Sequence, residues 1–214
     1  MPRSVENAIK EGLKDEFWAL RGQAVHAFGN LEQQLIWLFA AFMNVNIQYA
    51  NSVFLKIYNA SVQRNMLSRL CELRCEPEYT TFFNSYLNIV GHVTEKRDRI
   101  VHWAAAVVEK DDKFVRWQLM YPDYTDSTST NARRAPLVND DLKNFIHKCE
   151  FLSRLGSHFH TWIAHPEHRG EHQSWRDIFV QPVIYPPPNN HPLFQILQEP
   201  ENLLRSSVRW VPLQ

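Results

Sequence analysis

From Phe17 to Phe42 the apolar residues fall at Phe17, Leu20, Ala24, Phe28, Leu31, Leu35, Leu38, Phe39 and Phe42, almost always three or four apart. That period matches the turn of an α-helix and predicts one long helix from about Glu16 to Asn44, interrupted at Gly29-Asn30. A helix of this length with one apolar face must bury that face against other elements, so the feature commits the chain to a helical bundle. Two more segments repeat the signal. Val53, Leu55, Ile57, Val62, Met66, Leu70 and Leu73 predict a second helix capped by Asn51 or Ser52, with a possible break around Asn59-Ala60-Ser61. After Pro77, the residues Tyr79, Phe82, Phe83, Tyr86, Leu87, Val90, Val93, Ile100 and Val101 predict a third long helix ending near His102.

The texture then changes to two short apolar runs on either side of Lys110-Asp111-Asp112-Lys113, the pattern of a β-hairpin. A polar connection, Pro122 to Pro136, leads to a fourth helix capped by Asn139 or Asp140 and carried by Leu142, Phe145, Cys149, Leu152, Leu155, Phe159 and Ile163. Eight of the twelve prolines lie beyond residue 165, so extended or polyproline-like structure on the bundle, or a partly ordered tail, is expected there, with a short helix over Leu193 to Leu204 broken at Pro200. The fold expected is mainly α: a four- to five-helix up-and-down bundle over 1–165 with one short hairpin, followed by a Pro-rich tail over 166–214.

Composition narrows the function classes. Lys+Arg and Asp+Glu are equal at 23 each, which removes any global positive field and leaves a nucleic acid to be held by a local patch. No stretch approaches the ~20 apolar residues of a membrane span, and the N-terminal residues lack the apolar core of a signal peptide; a cytoplasmic protein without a membrane partner is expected. Cys71, Cys75 and Cys149 are an odd set inside helical patterns and are expected to be reduced core thiols rather than zinc ligands. Five histidines crowd into 158–172, but Pro166 and Gly170 interrupt the spacing of His165, His168 and His172, so no metal site and no cofactor is expected.

The most polar interruption of an apolar helix is Glu95 to Trp103, E-K-R-D-R-I-V-H-W. His92, Glu95, Arg99 and His102 share one helical face, whereas Arg97 and His102 lie about 140° apart around the axis. In the plain reading, Lys96, Arg97, Arg99 and His102 complement the negative end of the helix dipole, and Glu95 pairs with Arg99.

Arg97 to His102, R-D-R-I-V-H, is similar to the motif of the HEPN superfamily: arginine, then Asn, Asp or His, then three to five residues and histidine, late in a long helix of a four- or five-helix bundle. Trp103 stands where a small residue often follows the histidine. The placement also resembles the family, with Glu32 in F-G-N-L-E-Q-Q-L on the opening helix. The resemblance implies a metal-independent endoribonuclease in a toxin or phage-defence setting, with RNA as substrate, a homodimer bringing two motif helices together, and an antitoxin or other protein as possible partner. Arg97 would bind the scissile phosphate, His102 would act as general acid or base, and Asp98 would orient them, supported by Glu32, Glu95, Arg99 and His92. Some members of the family keep the fold without cutting, so the alternative is a non-catalytic nucleotide- or protein-binding module. Arg64, Arg133 and Arg134 are candidate RNA contacts, joined by Arg69, Arg74 and a base-stacking Trp117. The remaining alternative is a helical scaffold in which the motif is only a capped helix end.

Overall fold

The computed structural model describes residues 3–110, 113–121 and 135–194. Among them the protein is mainly helical with one two-stranded antiparallel sheet. Helix α1 (Arg3–Met43) starts well before the expected Glu16 and passes Gly29-Asn30 without interruption. Gly29 faces open space, so its missing side chain leaves no gap in the packing and the neighbouring turns carry the helix through. The helix ends in a Schellman arrangement: Asn44 adopts φ 53°, Val45 N–H reaches the Ala40 carbonyl at 3.1 Å and Asn44 N–H that of Ala41 at 3.2 Å.

The expected second helix is two. Asn46, not Asn51 or Ser52, caps α2 (Ile47–Phe54), accepting the Gln48 N–H at 2.8 Å. Asn59 caps α3 (Ala60–Arg74), accepting from Ser61 and Val62 at 2.9 and 3.2 Å. Both corrections have one cause: an asparagine accepts backbone N–H groups only when it precedes the first turn, and each of these does. Pro77 opens a 3-10 turn (Pro77–Tyr79) that leads into α4 (Thr80–His102), and α4 ends where the apolar period ends. Strands β1 (Ala104–Lys110) and β2 (Lys113–Met120) form the hairpin, with a register shift at Val108/Glu109. Leu119 extends the pairing to Leu137 through two backbone bonds of 2.8 and 3.0 Å.

Helix α5 (Asn139–Ala164) is capped differently from expectation: Val138 is the cap residue, and its N–H donates to the Asp141 carboxylate at 3.2 Å. It packs along α1, and α3 packs on α4. The core is aromatic at its centre. Phe82, Phe83, Tyr86 and Phe159 are buried between α4 and α5, and Gly156 lets these helices meet α1: an added Cβ there would lie 2.6 Å from the Tyr86 hydroxyl and 2.8 Å from Gln34.

Beyond Pro166 the chain is first helical rather than extended, with 3-10 turns (Pro166–His172) and α6 (Gln173–Phe179), and then irregular to residue 194. This segment lies on the bundle. Phe179 is fully buried, 5.0 Å from Phe82 and 5.1 Å from Phe159 between ring centres, and Arg169 and Arg176 pair with Glu76 at 2.6 Å and Glu78 at 3.2 Å. The burial of Phe179 explains why prolines there do not produce a detached tail: about 3–5 kcal/mol is typical for such an aromatic anchor. The expected helix beyond Leu193 lies outside the described residues. No helix among the described residues is long and apolar enough to cross a membrane.

Candidate functional site

The end of α4 is held from outside. Arg21 on α1 donates from Nε to the Ile100 carbonyl at 2.9 Å and from Nη2 to those of Val101 at 2.9 Å and Trp103 at 3.2 Å. Its guanidinium stands 5.1 Å from the centre of the Trp18 ring, and burial lowers its pKa. These carbonyls are the groups a helix C-terminus leaves unsatisfied, so one forked cation takes the role that the plain reading assigned to the motif's own basic residues. The sequence carries no signal for this, because Arg21 lies 79 residues upstream of Ile100.

The motif residues are therefore engaged elsewhere. Lys96 pairs with Asp141 at 3.1 Å. Arg99 turns away from Glu95: it donates to the Ala135 carbonyl at 2.8 Å and stacks 4.3 Å from the centre of the Trp103 ring, and no Glu95–Arg99 ion pair forms among the described residues. Burial lowers the Arg99 pKa, with Asp141 opposing. The Trp103 indole is buried, edge-on to Tyr121 at 5.8 Å, so it is taken up by packing rather than placed over His102.

Arg97 lies on the side of α4 facing α1, 5.3 Å above the Phe28 ring, and donates to Asp98 at 3.0 Å. Glu32, one turn beyond Phe28 on α1, joins this charge cluster. Although Glu32 is in contact with solvent, enough protein surrounds its carboxyl for desolvation to raise its pKa, while Arg97 lowers it and Asp98 raises it further. Arg97, Asp98 and Glu32 thus come together. His102 is exposed one turn beyond Asp98, and α4 stays regular through it, so Arg97 and His102 remain about 140° apart within one chain. His92 and Glu95 are exposed on the same side of α4 as His102.

Of the candidate RNA contacts, Arg133 and Arg134 lie outside the described residues. Trp117 is not free to stack on a base, since it packs on Phe17 with ring centres 6.1 Å apart. Arg69 pairs with Glu72 at 2.8 Å, and Arg74 donates to the Phe42 carbonyl at 2.8 Å, closing the end of α1. Arg64 lies across Gly91 on α4, its guanidinium carbon 3.3 Å from where a Cβ would be.

The cysteines are free thiols, Cys71 and Cys149 buried and Cys75 half-buried. Among the described residues no three or more His, Cys, Asp or Glu are grouped to hold a metal ion. In the histidine-rich segment, His158 stacks on Trp175 at 3.9 Å and His165 lies 3.2 Å from Glu167. No family model, no curated protein and no solved structure matches this chain.

Proposed function

We propose that the protein is a HEPN-type endoribonuclease acting in a toxin or phage-defence setting, in which Arg97 and His102 from two copies of the chain form a composite site. The observation that carries this reading is that Arg21, not the motif, closes the end of α4. Asp98 and His102 are thereby left exposed and Arg97 half-buried over Phe28, none of them needed to close the helix end. In the reaction, a 2′-hydroxyl oxygen attacks the adjacent phosphorus and the bond to the 5′-oxygen breaks. One imidazole takes the 2′-hydroxyl proton and one delivers a proton to the leaving oxygen, giving a 2′,3′-cyclic phosphate and a free 5′-hydroxyl. Arg97 binds the phosphate oxygens as their charge grows, and Asp98 keeps its guanidinium turned toward the α4 surface. The nucleophile is internal to the substrate, so the route needs no metal.

A second copy supplies what one helix lacks. Trp18, Val25 and Glu32 recur every seven residues on the side of α1 beside this site, and Trp18 and Val25 are each 43% exposed, an apolar flank suited to burial in a homodimer. The regularity of α4 through His102 also favours a second reading, a module that binds nucleotide or a protein partner without cutting, since one chain alone does not join the two motif residues.

Incubation of the purified protein with single-stranded RNA in EDTA tests this. Cleavage with cyclic-phosphate ends is expected, DNA should survive, and Arg97→Ala or His102→Ala should abolish cutting with an unchanged circular-dichroism spectrum. Cutting that persists in His102→Ala, or that requires added metal, would overturn the mechanism. RNA binding without cutting by the wild type would support the binding module.

A further inference from the structure

Beside the motif, α4, the start of α3 and the α2–α3 connection enclose an open groove of about 500 Å³ lined by Tyr58, Ser61, Arg64, Gly91, Glu95 and Asp98. Gly91, Glu95, Asp98 and His102 follow one another at four, three and four residues, so the groove runs along the face of α4 that carries His102. Three features of its lining are unusual for a surface depression. Tyr58 is 90% exposed, an aromatic ring that contributes almost nothing to the core. Arg64 is half-buried and, unlike Arg69 and Arg74, has no hydrogen bond or ion pair among the described residues. Gly91 is the residue that lets Arg64 lie flat on α4, since a Cβ would stand 3.3 Å from its guanidinium.

We infer that this groove is a nucleotide subsite for single-stranded RNA, with Arg64 holding a backbone phosphate and Tyr58 stacking on a base one or more nucleotides from the scissile bond. The inference rests on the endoribonuclease reading for the identity of the polymer. The charge pattern gives the subsite a polarity. Asp98 is already paired with Arg97, so of the groove's charges Arg64 is the one open to an anion, while Glu95 can only accept hydrogen bonds. The phosphate therefore lies at the Arg64 end, and hydroxyl or amino donors of the nucleotide lie toward Glu95. A planar guanidinium and an exposed aromatic ring are the pair of groups that recognise an unpaired nucleotide without reading its sequence.

The test is binding of a fluorescein-labelled single-stranded RNA to full-length His102→Ala, which leaves the RNA uncut, alone and combined with Tyr58→Ala, Tyr58→Phe, Arg64→Ala or Gly91→Ala. Tyr58→Ala should weaken binding roughly 5- to 150-fold with an unchanged salt slope, and Tyr58→Phe should restore it. Arg64→Ala should weaken binding and reduce the slope of log K against log salt by about 0.7, the loss of one single-strand phosphate contact. Gly91→Ala should act in the same direction by displacing Arg64. RNA binding that is equal in all groove variants would overturn the subsite, and a protein partner docking in the groove would give that result. If the wild type cuts RNA and the same groove substitutions made singly in the wild type keep its KM, the subsite falls and the endoribonuclease stands. If no variant and no wild type binds or cuts RNA, both fall.

Discussion

Glu32 shows how one side chain can be set against the stability of the fold. Its carboxyl lies among Arg97, Asp98 and the body of α1, and desolvation raises its pKa despite the attraction of Arg97. A carboxyl whose folded pKa is raised binds its proton more tightly when folded, so its contribution is favourable at low pH and is lost as pH rises through the folded value. At neutral pH the ionised Glu32 is therefore a cost, kept small by the solvent that reaches the side chain. Glu32→Gln should melt at a higher temperature than the wild type at pH 7, with the two melting curves converging below the ordinary carboxylate range. Its RNA cleavage should fall, because Arg97 loses one of its two neighbouring carboxylates. A lower melting temperature for Glu32→Gln at pH 7 would mean that attraction to Arg97 outweighs desolvation. A residue that lowers stability and raises activity is the pattern expected of a functional site.

At the scale of elements, helix ends and helix crossings decide where the motif stands. Arg21 and Arg74 do equivalent work: the first closes α4, the second closes α1 at the Phe42 carbonyl. Arg21→Ala should cost about 1.5–3 kcal/mol, the worth of hydrogen bonds to a charged group, measured by urea unfolding. Cleavage should fall more than stability does at temperatures where the variant is folded, since the carbonyls on both sides of His102 lose their anchor. Equal activity in folded Arg21→Ala would show that the turn carrying His102 holds itself. The crossing of α1, α4 and α5 depends on Gly156. Alanine favours a helix interior by about 1 kcal/mol over glycine. Here, however, the new methyl would meet the Tyr86 hydroxyl at 2.6 Å, and Tyr86 is itself fully buried and makes no hydrogen bond among the described residues. Overpacking wins, so Gly156→Ala should be destabilised by about 1–3 kcal/mol. A stabilised variant would mean that the three helices separate more easily than their packing suggests.

For the whole molecule, the proposed function requires two copies. Trp18 and Val25 lie on α1 before Phe28, the residue that Arg97 overlies, and present apolar surface to solvent in the single chain. Light scattering at micromolar concentration should give the mass of a dimer. Trp18→Glu with Val25→Glu should give a monomer that is folded and does not cut RNA. The separate inactive variants Arg97→Ala and His102→Ala, when mixed, should regain part of the activity, because a mixed dimer holds one intact Arg97 and one intact His102. A wild-type monomer that cuts RNA would remove the composite site. The segment over 166–194 packs on α4 and α5 through Phe179, 5.0 Å from Phe82 and 5.1 Å from Phe159 between ring centres.

Much of the architecture follows from sequence periodicity alone, because an apolar residue every three or four positions can be buried in only one way. The long helices, the end of α4 at His102, the hairpin and a break near Asn59 were legible for that reason, although the break falls over 55–59 rather than around Asn59-Ala60-Ser61. Helix starts were less so: Asn46, Asn59 and Val138 cap helices at positions where period and composition permit several neighbours. That the segment after Pro166 lies on the bundle was one of the two expectations; its helical turns over 166–179 were not expected, because proline counts report on local backbone freedom, whereas the burial of Phe179 on Phe82 and Phe159 comes from residues 97 and 20 positions away. In the site, the placement of Arg97, Asp98 and His102 on the last turns of α4 was legible because they lie within six residues of one helix. Their setting was not. That Arg21 closes α4, that Arg99 turns to Ala135 and Trp103, that Trp117 packs on Phe17 and that Arg64 lies open over Gly91 are contacts between elements. A sequence specifies which side chains are polar and how they are spaced along one element; which of them a neighbouring element neutralises, and which it leaves open to a ligand, is decided only when the helices pack.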